Sequence, residues 1–198
     1  MIAALILAAG QSRRMGRPKM LLPWGPLTVI EQVIVVFQNA GVKDILVVTG
    51  GAREQVEKAI APHSIRTIHN SQYQQGEMLS SLQVGLGALS LEVEAALIGL
   101  GDQPQVQEET VQRVHEAYQR TRSGLIVPSY QKRRGHPWLV ARPLWKELLS
   151  LRSPASPRDF LNRHSADILY VNVDTPSILT DLDTPEDYES SHPRGRSF

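Results

Sequence analysis

The order of apolar and amphipathic segments in this chain predicts an α/β fold, a three-layer, doubly wound arrangement with a mostly parallel, mixed sheet. Continuous apolar runs at residues 2–8, 44–49 and 95–101 are typical of strands that are buried on both faces. Segments with apolar residues at helical spacing separate these runs and can serve as the crossovers that parallel strands need. A loop with Gly10 and Gly16 follows the first run, where α/β sheets bind ligands.

The pattern in the first half of the chain predicts βαβ units with right-handed crossovers. The helix near 27–39 ends at Gly41, because glycine is typical of the residue just beyond a helix. In order, the predicted elements are a strand at 2–8, a helix near 27–39, a strand at 44–49, a helix at 52–61, a strand at 63–70, a helix at 78–89 and a strand at 95–101.

The second half is less regular. A helix at 107–121 precedes short strands at 124–128 and 137–141, which a basic turn at 130–135 joins as a hairpin. One of these strands must then be antiparallel, so the sheet is predicted to be mixed. Helical segments follow within 142–163, with a break at the sequence SPASP, and the last strand is at 166–173.

The composition is ordinary for one globular domain, with 41% hydrophobic residues, 21% charged residues and a formal net charge of +1. We therefore predict a single domain over residues 1–189 and a disordered polar tail over 190–198. Because the chain has no basic surplus, we expect no nucleic-acid partner.

Cysteine is absent, which excludes disulfides, thiolate catalysis and cysteine-containing zinc sites. Met1 leads directly into the first predicted strand, and no apolar run approaches the ~20 residues that span a bilayer. We therefore expect a cytoplasmic protein with no membrane partner.

Residues 7–22, LAAGQSRRMGRPKMLL, have the chemistry of a phosphate-binding loop. The loop carries four cationic side chains, those of Arg13, Arg14, Arg17 and Lys19. Together with free backbone N–H groups, such side chains bind a triphosphate through charge-assisted hydrogen bonds. The spacing of Gly10, Gly16 and Lys19 matches neither a Walker loop nor GxGxxG. The alternative is a structural turn with solvated basic residues.

The pattern LAAGxSxRMGxxKxLLPW resembles the signature loop of nucleotidyltransferases with a glycosyltransferase-A-like, Rossmann-like fold. The nearest resemblance is to the molybdenum cofactor cytidylyltransferase branch of the MobA-like NTP transferase family, and it extends over about residues 2–189. It implies an enzyme that transfers CMP from CTP to the phosphate of molybdopterin and releases pyrophosphate. CTP is favoured because Ala9 stands where guanylyl-transferring relatives typically have glycine.

The same resemblance implies roles for individual residues. The expected catalytic residues are Arg14, Lys19 and Asp102. The expected nucleotide-binding residues are Ala8, Ala9, Gly10, Ser12, Arg14, Gly16, Lys19, Thr49, Ser80 and Ser81. For Thr49 a tight strand-to-helix turn is an equally good explanation, and Ser80 and Ser81 are also ordinary residues for the start of a helix.

Three aspartates are candidate ligands for Mg²⁺. Asp102 directly follows the apolar run at 95–101, at the expected ligand-binding edge, although a turn before Pro104 would also explain it. Asp181 and Asp183 alternate at strand spacing, so both carboxylates should point to one side and suit a hard cation. The resemblance favours Mg²⁺ on Asp102 and Asp183, with Asp181 as a third ligand or a solvated neighbour. Thr184 and Pro185 begin a helix.

Gly135, His136 and Pro137 match a GHP element that the resemblance places beside the acceptor, although a histidine in a turn is often only a surface residue. The implied partners are a nucleoside triphosphate, a phosphorylated pterin and a molybdoenzyme or its maturation chaperone. Ser156–Arg158 depart from the usual pattern on the acceptor side. The alternatives are a guanylyl or sugar-phosphate nucleotidyltransferase of the same fold, or a non-catalytic module that binds and delivers the molybdenum cofactor.

Overall fold

A computed structural model describes residues 1–75 and 78–193 of the chain. Seven of its strands lie at the predicted positions or have boundaries within three residues of them, whereas three strands of two residues each were not predicted. In chain order they are β1 (Ile2–Ala8), β2 (Pro23–Trp24), β3 (Leu27–Thr28), β4 (Asp44–Thr49), β5 (Arg66–His69), β6 (Ala95–Leu100), β7 (Leu125–Tyr130), β8 (Arg133–Arg134), β9 (Trp138–Ala141) and β10 (Ile168–Asn172).

The helices also follow the predicted pattern, and the break at SPASP separates two of them. They are α1 (Val29–Asn39), α2 (Arg53–Ile60), α3 (Met78–Ala88), α4 (Glu108–Thr121), α5 (Trp145–Ser150), α6 (Pro157–Arg163) and α7 (Pro185–Ser191). α1 begins at Val29 rather than near residue 27, because Leu27 and Thr28 pair with β2 in a small hairpin. The Thr28 side chain then caps the helix in a reciprocal capping box with Glu31.

The large sheet has the strand order β10-β7-β9-β6-β1-β4-β5, with β8 paired to β7. β1 lies between β4 and β6 and is parallel to both. β9 runs antiparallel to its neighbours β6 and β7, which confirms the mixed sheet and the predicted antiparallel member. The carboxyl ends of β1, β4 and β6 therefore meet at one edge of the sheet.

Side chains of β1 alternate between two apolar cores, one on each face of the sheet. Ala4 and Ile6 pack into the core that α1, α2 and α4 cover. Leu5 and Leu7 pack into the core that α3, α5 and α6 cover. This arrangement confirms the three-layer, doubly wound architecture. Gly85 brings α3 against the sheet, since a Cβ atom there would lie 2.3 Å from Leu5 Cδ1.

The C-terminal helix α7 starts as the sequence predicts. The Thr184 side chain accepts from the Asp187 backbone N–H, and Pro185 occupies the first turn. α7 ends at Ser191, two residues beyond the predicted end of the domain, and the predicted tail lies outside the described residues from position 194 onward. In the described ranges, no helix has both the length and the apolar character needed to cross a bilayer.

Candidate active site

A cavity of about 550 Å³ opens at the carboxyl ends of β1 and β6. It collects many of the residues that the sequence singled out. Those that line it are Ala9, Gly10, Ser12, Arg14, Lys19, Ser81, Asp102, Asp181 and Asp183. A second cavity, of about 440 Å³, lies along Gly16 and Arg17 of the same loop. The loop after β1 therefore lines both cavities.

The loop has a defined internal structure. Ser12 adopts a left-handed backbone conformation with φ of 51°, and its carbonyl accepts from Met15 N at 3.1 Å and Gly16 N at 3.2 Å. Its hydroxyl accepts from the backbone N–H of Lys19 at 3.0 Å. Met15 is buried against Trp24 and other residues of a small apolar cluster. These contacts hold the backbone of Lys19 at a fixed position relative to the turn.

Lys19 joins two acidic groups that are far apart in the sequence. Its ammonium donates to Asp102 Oδ2 and, at 3.0 Å, to Asp183 Oδ1. Burial lowers the pKa of Lys19, but the negative charges and hydrogen bonds of Asp102 and Asp183 outweigh this effect and raise the pKa above its ordinary value. Lys19 is therefore a cation, and it neutralises part of the negative charge at the end of β6.

Arg14 is the second cation of this cluster. Its guanidinium lies 3.2 Å from Asp183 Oδ2, so Asp183 contacts Lys19 with one oxygen and Arg14 with the other. The Arg14 side chain is 73% exposed and the Lys19 side chain only 10% exposed, so the Arg14 contact is the weaker of the two. Arg14 is thus free to reorient toward a ligand in the cavity at small cost.

Asp181 and Asp183 lie on either side of an anchored residue. Leu182 is completely buried, and its backbone N–H donates to the carbonyl of Asp102 at 3.1 Å. The segment is not part of a strand, yet both carboxylates line the same cavity. Desolvation and the charge of Asp102 raise the pKa of Asp181, while a hydrogen bond from Gln103 at 2.7 Å opposes that rise.

A buried asparagine organises the start of α3. Asn70 is fully buried and donates to the hydroxyl oxygens of Ser80 and Ser81, both at 3.0 Å. Its backbone N–H donates to the carbonyl of Thr49 at 2.9 Å. Of the two serines, Ser81 lines the cavity and Ser80 does not.

Two residues predicted to bind nucleotide instead have positions inside the fold. Thr49 is completely buried, and its hydroxyl lies 3.4 Å from the carbonyl of Ile68, so its side chain is not available to a ligand in the cavity. Ala8 packs in the core on the α1 side of the sheet. Ala8 was selected because it belongs to the LAAG motif and Thr49 because it ends a predicted strand, and alternate side chains at a strand end point to opposite faces.

The GHP element, which the resemblance places beside the acceptor, packs against the segment before the acidic residues. Gly135 packs against the chain at Ile178, where a Cβ atom would lie 2.3 Å from the carbonyl oxygen, and His136 N donates to that carbonyl at 3.2 Å. Neither Gly135, His136 nor Pro137 lines the large cavity. Burial lowers the pKa of His136 to about 4, so its ring is neutral at neutral pH. The element thus contacts the segment before the acidic residues, and its role beside an acceptor stays a prediction.

Some cavity residues were not predicted as nucleotide ligands. Tyr73 lies between the two cavities, and its ring is 3.1 Å from the position of a Cβ atom on Gly51. Gln11 donates to the carbonyl of Tyr73 at 3.3 Å and so ties the loop after β1 to the segment before α3. Tyr73 carries no sequence signal, because only the parallel pairing of β4 with β1 and β5 brings it to this edge.

The carboxylates of Asp102 and Asp183 have the donor chemistry that Mg²⁺ uses in proteins. Over residues 1–75 and 78–193 no three acidic, histidine or cysteine side chains form a complete metal site. Mg²⁺, however, commonly uses one or two carboxylates and completes its shell with phosphate oxygens and water. Oxygens of Asp102 and Asp183 converge on a single cation, the Lys19 ammonium, so the two residues fit such a metal.

Comparison with known proteins agrees with this geometry. The family model of the MobA-like NTP transferase domain matches residues 4–168 of the chain. Molybdenum cofactor cytidylyltransferase from Escherichia coli K12 is 30% identical over 196 residues, which cover 98% of this chain and 96% of that protein. This chain belongs to the MobA-like NTP transferase family. It is therefore a nucleotidyltransferase, as the signature loop predicted.

Other known proteins are also similar to this chain in sequence or in structure. The bifunctional protein GlmU of Rhizorhabdus wittichii is 36% identical over 119 residues, which cover 59% of this chain and 26% of that protein. The crystal structure of Rv0371c from Mycobacterium tuberculosis is 29% identical with a TM-score of 0.80, and the match covers 96% of each chain. A structure of Rv0371c in complex with manganese is 27% identical with a TM-score of 0.76, covering 96% of this chain and 97% of that one. MobA-like NTP transferases generally depend on a divalent metal ion.

Proposed function

We propose that this member of the family transfers CMP from CTP to the terminal phosphate of molybdopterin or its molybdenum-loaded form, and releases pyrophosphate. The observation that carries the proposal is the convergence of Arg14, Lys19, Asp102 and Asp183 on one cavity at the sheet edge. Cations for a triphosphate and carboxylates for a metal are thus present together. A pure delivery module would have no need for both.

In the proposed reaction no side chain of the protein forms a covalent bond to a substrate. The phosphate oxygen of the acceptor is already ionised, so it attacks the α-phosphorus of CTP directly. The new P–O bond forms as the bond to pyrophosphate breaks in line, and no side chain has to remove a proton. Arg14 and Lys19 hold the phosphates and offset the charge that develops on the departing pyrophosphate.

Asp102 and Asp183 are the residues that would hold Mg²⁺, and Asp181 is the neighbour that adds negative charge to the site. When bound, Mg²⁺ supplies positive charge to the phosphate oxygens of the nucleotide. Ser12 and Gly10 of the loop are proposed to contact the triphosphate, and Ser81 to face the nucleoside. Thr49 and Ala8 are omitted from the proposed ligand contacts because their side chains are buried in the fold, whereas Gly135, His136 and Pro137 stay predicted contacts of the acceptor.

The preference for CTP rests on Ala9 and on the cytidylyltransferase from Escherichia coli. Ala9 lines the cavity and its methyl group reduces the space near the base, an effect that in general gives about 10- to 200-fold selectivity. The second candidate is a sugar-phosphate nucleotidyltransferase of the same fold, because such enzymes share the loop and the carboxylates. A guanylyltransferase is the third. The molybdoenzyme or chaperone partner and the cytoplasmic location stay predictions.

Ligand-dependent thermal unfolding tests the nucleotide. We expect CTP with Mg²⁺, at about 100 times its Kd, to add about 2.7 kcal/mol and raise Tm by roughly 5 to 10 °C. GTP, ATP and UTP should give smaller shifts. Pyrophosphate release with the molybdenum cofactor as acceptor then tests the reaction. A larger shift with GTP or UTP would move the protein to the guanylyl or sugar-phosphate candidate, and no pyrophosphate with any acceptor would contradict catalysis.

A further inference from the structure

We propose that the Lys19 ammonium occupies the cation position between Asp102 and Asp183 when no ligand is bound, so that a divalent metal enters only together with a triphosphate that draws Lys19 away. The inference rests on the proposed nucleotide and metal site. It makes the binding of the two ligands cooperative. The metal and the triphosphate each bind poorly alone and strongly together.

The contact geometry carries the first step. One nitrogen, Lys19 Nζ, is within hydrogen-bond reach of Asp102 Oδ2 and Asp183 Oδ1. The side chains of Lys19 and Asp102 are only 10% and 15% exposed, so solvent screens this contact much less than a surface ion pair. A metal that uses the same two oxygens must displace the ammonium, and displacement leaves a buried lysine without its counter-charges.

The second step concerns the triphosphate. Both cations proposed to hold its phosphates, Lys19 and Arg14, are paired with Asp183. A triphosphate without a metal must take these cations from the carboxylates, which would then face each other and Asp181 uncompensated. With both ligands present, the phosphates take Lys19 and Arg14 while the metal takes Asp102 and Asp183. These four side chains then each have a partner of opposite charge, and the coupling between the two ligands must be reciprocal.

The structure also shows which part can move. The backbone N–H of Lys19 is held by the Ser12 hydroxyl at 3.0 Å, so the loop need not rearrange. Lysine has a flexible stem of four carbons, and the cavity of about 550 Å³ beside it gives its head group room to turn toward a ligand. The exchange is therefore a side-chain movement on a fixed backbone.

Mn²⁺ binding to the whole protein without nucleotide tests the metal side. Free Mn²⁺ is measured by electron paramagnetic resonance for wild type, Lys19→Met and Arg17→Met. Arg17 is exposed in the same loop, so its variant removes the same charge without emptying the position between the carboxylates. We expect Lys19→Met to bind Mn²⁺ about 5- to 150-fold more tightly than wild type, the usual range of such couplings. Equal tightening in Arg17→Met, or none in Lys19→Met, would overturn the proposal.

Binding of inorganic tripolyphosphate tests the triphosphate part of the proposal. It is measured by calorimetric titration in the presence of a chelator, and the test does not depend on the folding of Lys19→Met. Asp183→Asn frees Lys19 and Arg14, so it should bind tripolyphosphate more tightly than wild type. Asp174→Asn, an exposed residue outside the site, has the same charge change and should bind less tightly than Asp183→Asn. The proposal fails if the two variants bind equally.

One further experiment distinguishes failure of this inference from failure of the proposed function. Wild type is titrated with Mn²⁺ in the presence of CTP. Absence of Mn²⁺ binding under that condition would contradict the proposed metal site itself. Tight binding with CTP, combined with unchanged Mn²⁺ affinity in Lys19→Met without CTP, would contradict only the role of Lys19 as the occupant of the metal position.

Discussion

The backbone N–H of Leu182 donates to the backbone carbonyl of Asp102 at 3.1 Å, and this bond joins the end of β6 to the acidic segment before α7. Leu182 itself is completely buried in a small apolar cluster with Met15, Leu22, Trp24 and Val29. The same cluster holds Met15 of the loop after β1. One packing unit therefore determines how far Asp183 lies from Lys19 and Arg14.

Leu182→Ala should reduce ligand binding as well as stability. Loss of the buried side chain is expected to cost about 2–5 kcal/mol in the free energy of unfolding. Because the cluster positions Asp183 and the loop, Mn²⁺ affinity in the presence of CTP should also fall. Leu148→Ala, which truncates an equally buried leucine on α5, should lose stability alone. Unchanged Mn²⁺ affinity in Leu182→Ala would show that the cluster does not position the site.

Lys19→Ala should impair turnover. Removal of a cationic contact that strengthens in the transition state costs roughly 10²- to 10³-fold in rate in comparable sites. The measurement is pyrophosphate release at saturating CTP with the molybdenum cofactor as acceptor. Lys146→Ala removes an exposed lysine of α5 and serves as the control. A kcat close to that of wild type in Lys19→Ala would count against its catalytic role.

Asn70→Ala should destabilise the fold more than truncation of an exposed asparagine. Asn70 donates to two hydroxyls from a fully buried position, and loss of such a partner costs about 1–3 kcal/mol. Asn39→Ala removes an exposed hydrogen bond to Glu108 and should cost less than about 0.5 kcal/mol. Denaturant unfolding of both variants gives the two values, and similar values would mean that the buried contacts add nothing.

Gly50→Ala and Gly87→Ala should have opposite effects on stability. A Cβ atom on Gly50 would lie 2.3 Å from the carbonyl oxygen of Ala9. A Cβ atom on Gly87 would have no atom from outside its own helix turn within 4 Å. Crowding at Gly50 should cost about 1–3 kcal/mol. Gly87→Ala should gain up to about 1 kcal/mol, because alanine has the higher helix propensity. The Gly50 variant should also weaken CTP binding, since Ala9 lines the cavity; thermal unfolding with and without CTP measures both effects.

Acid should destabilise the protein through His136. Burial lowers the pKa of His136 from 6.5 to about 4, so the unfolded chain takes up a proton below pH 6.5 that the folded protein takes up only near pH 4. Stability is therefore complete above pH 6.5 and decreases as the pH falls toward 4. Between pH 7 and 5 the loss amounts to about 2 kcal/mol.

His136→Gln removes this proton uptake and should flatten the pH dependence in that window. Denaturant unfolding of wild type and the variant at pH 7, 6 and 5 provides the measurement. Burial also lowers the pKa of His115, but this effect is common to both proteins and cancels in the comparison. Parallel curves for the two proteins would show that His136 is not the group responsible.

Local patterns in the sequence were sufficient to predict the elements. Apolar runs located β1, β4 and β6, and Thr184 with Pro185 and Asp187 located the start of α7 to the residue. These signals are short-range, because side-chain spacing and capping chemistry depend only on neighbours a few positions apart. The hairpin β2–β3 was not predicted, since Leu27 and Thr28 read as the beginning of a helix.

Local sequence patterns did not predict the contacts between residues that are far apart in the chain. Lys19 and Asp183 are 164 positions apart, and only the sheet order and the anchoring of Leu182 bring their charges together. The sequence marked each as a candidate but not as a pair. The GHP element is a second case, because the motif is visible in the sequence but the contact of Gly135 with Ile178 is not.

The sequence by itself thus determined the fold class, the cationic, glycine-containing loop after β1 and the acidic residues at the strand end, because periodicity, glycine placement and charge are properties of the local chain. The tertiary structure alone decided which charges meet. Lys19 could have been a solvated lysine; its burial between Asp102 and Asp183 follows from the parallel pairing of β1 with β6 and from the buried Leu182. Non-local packing sets these distances, and no spacing in the sequence encodes them.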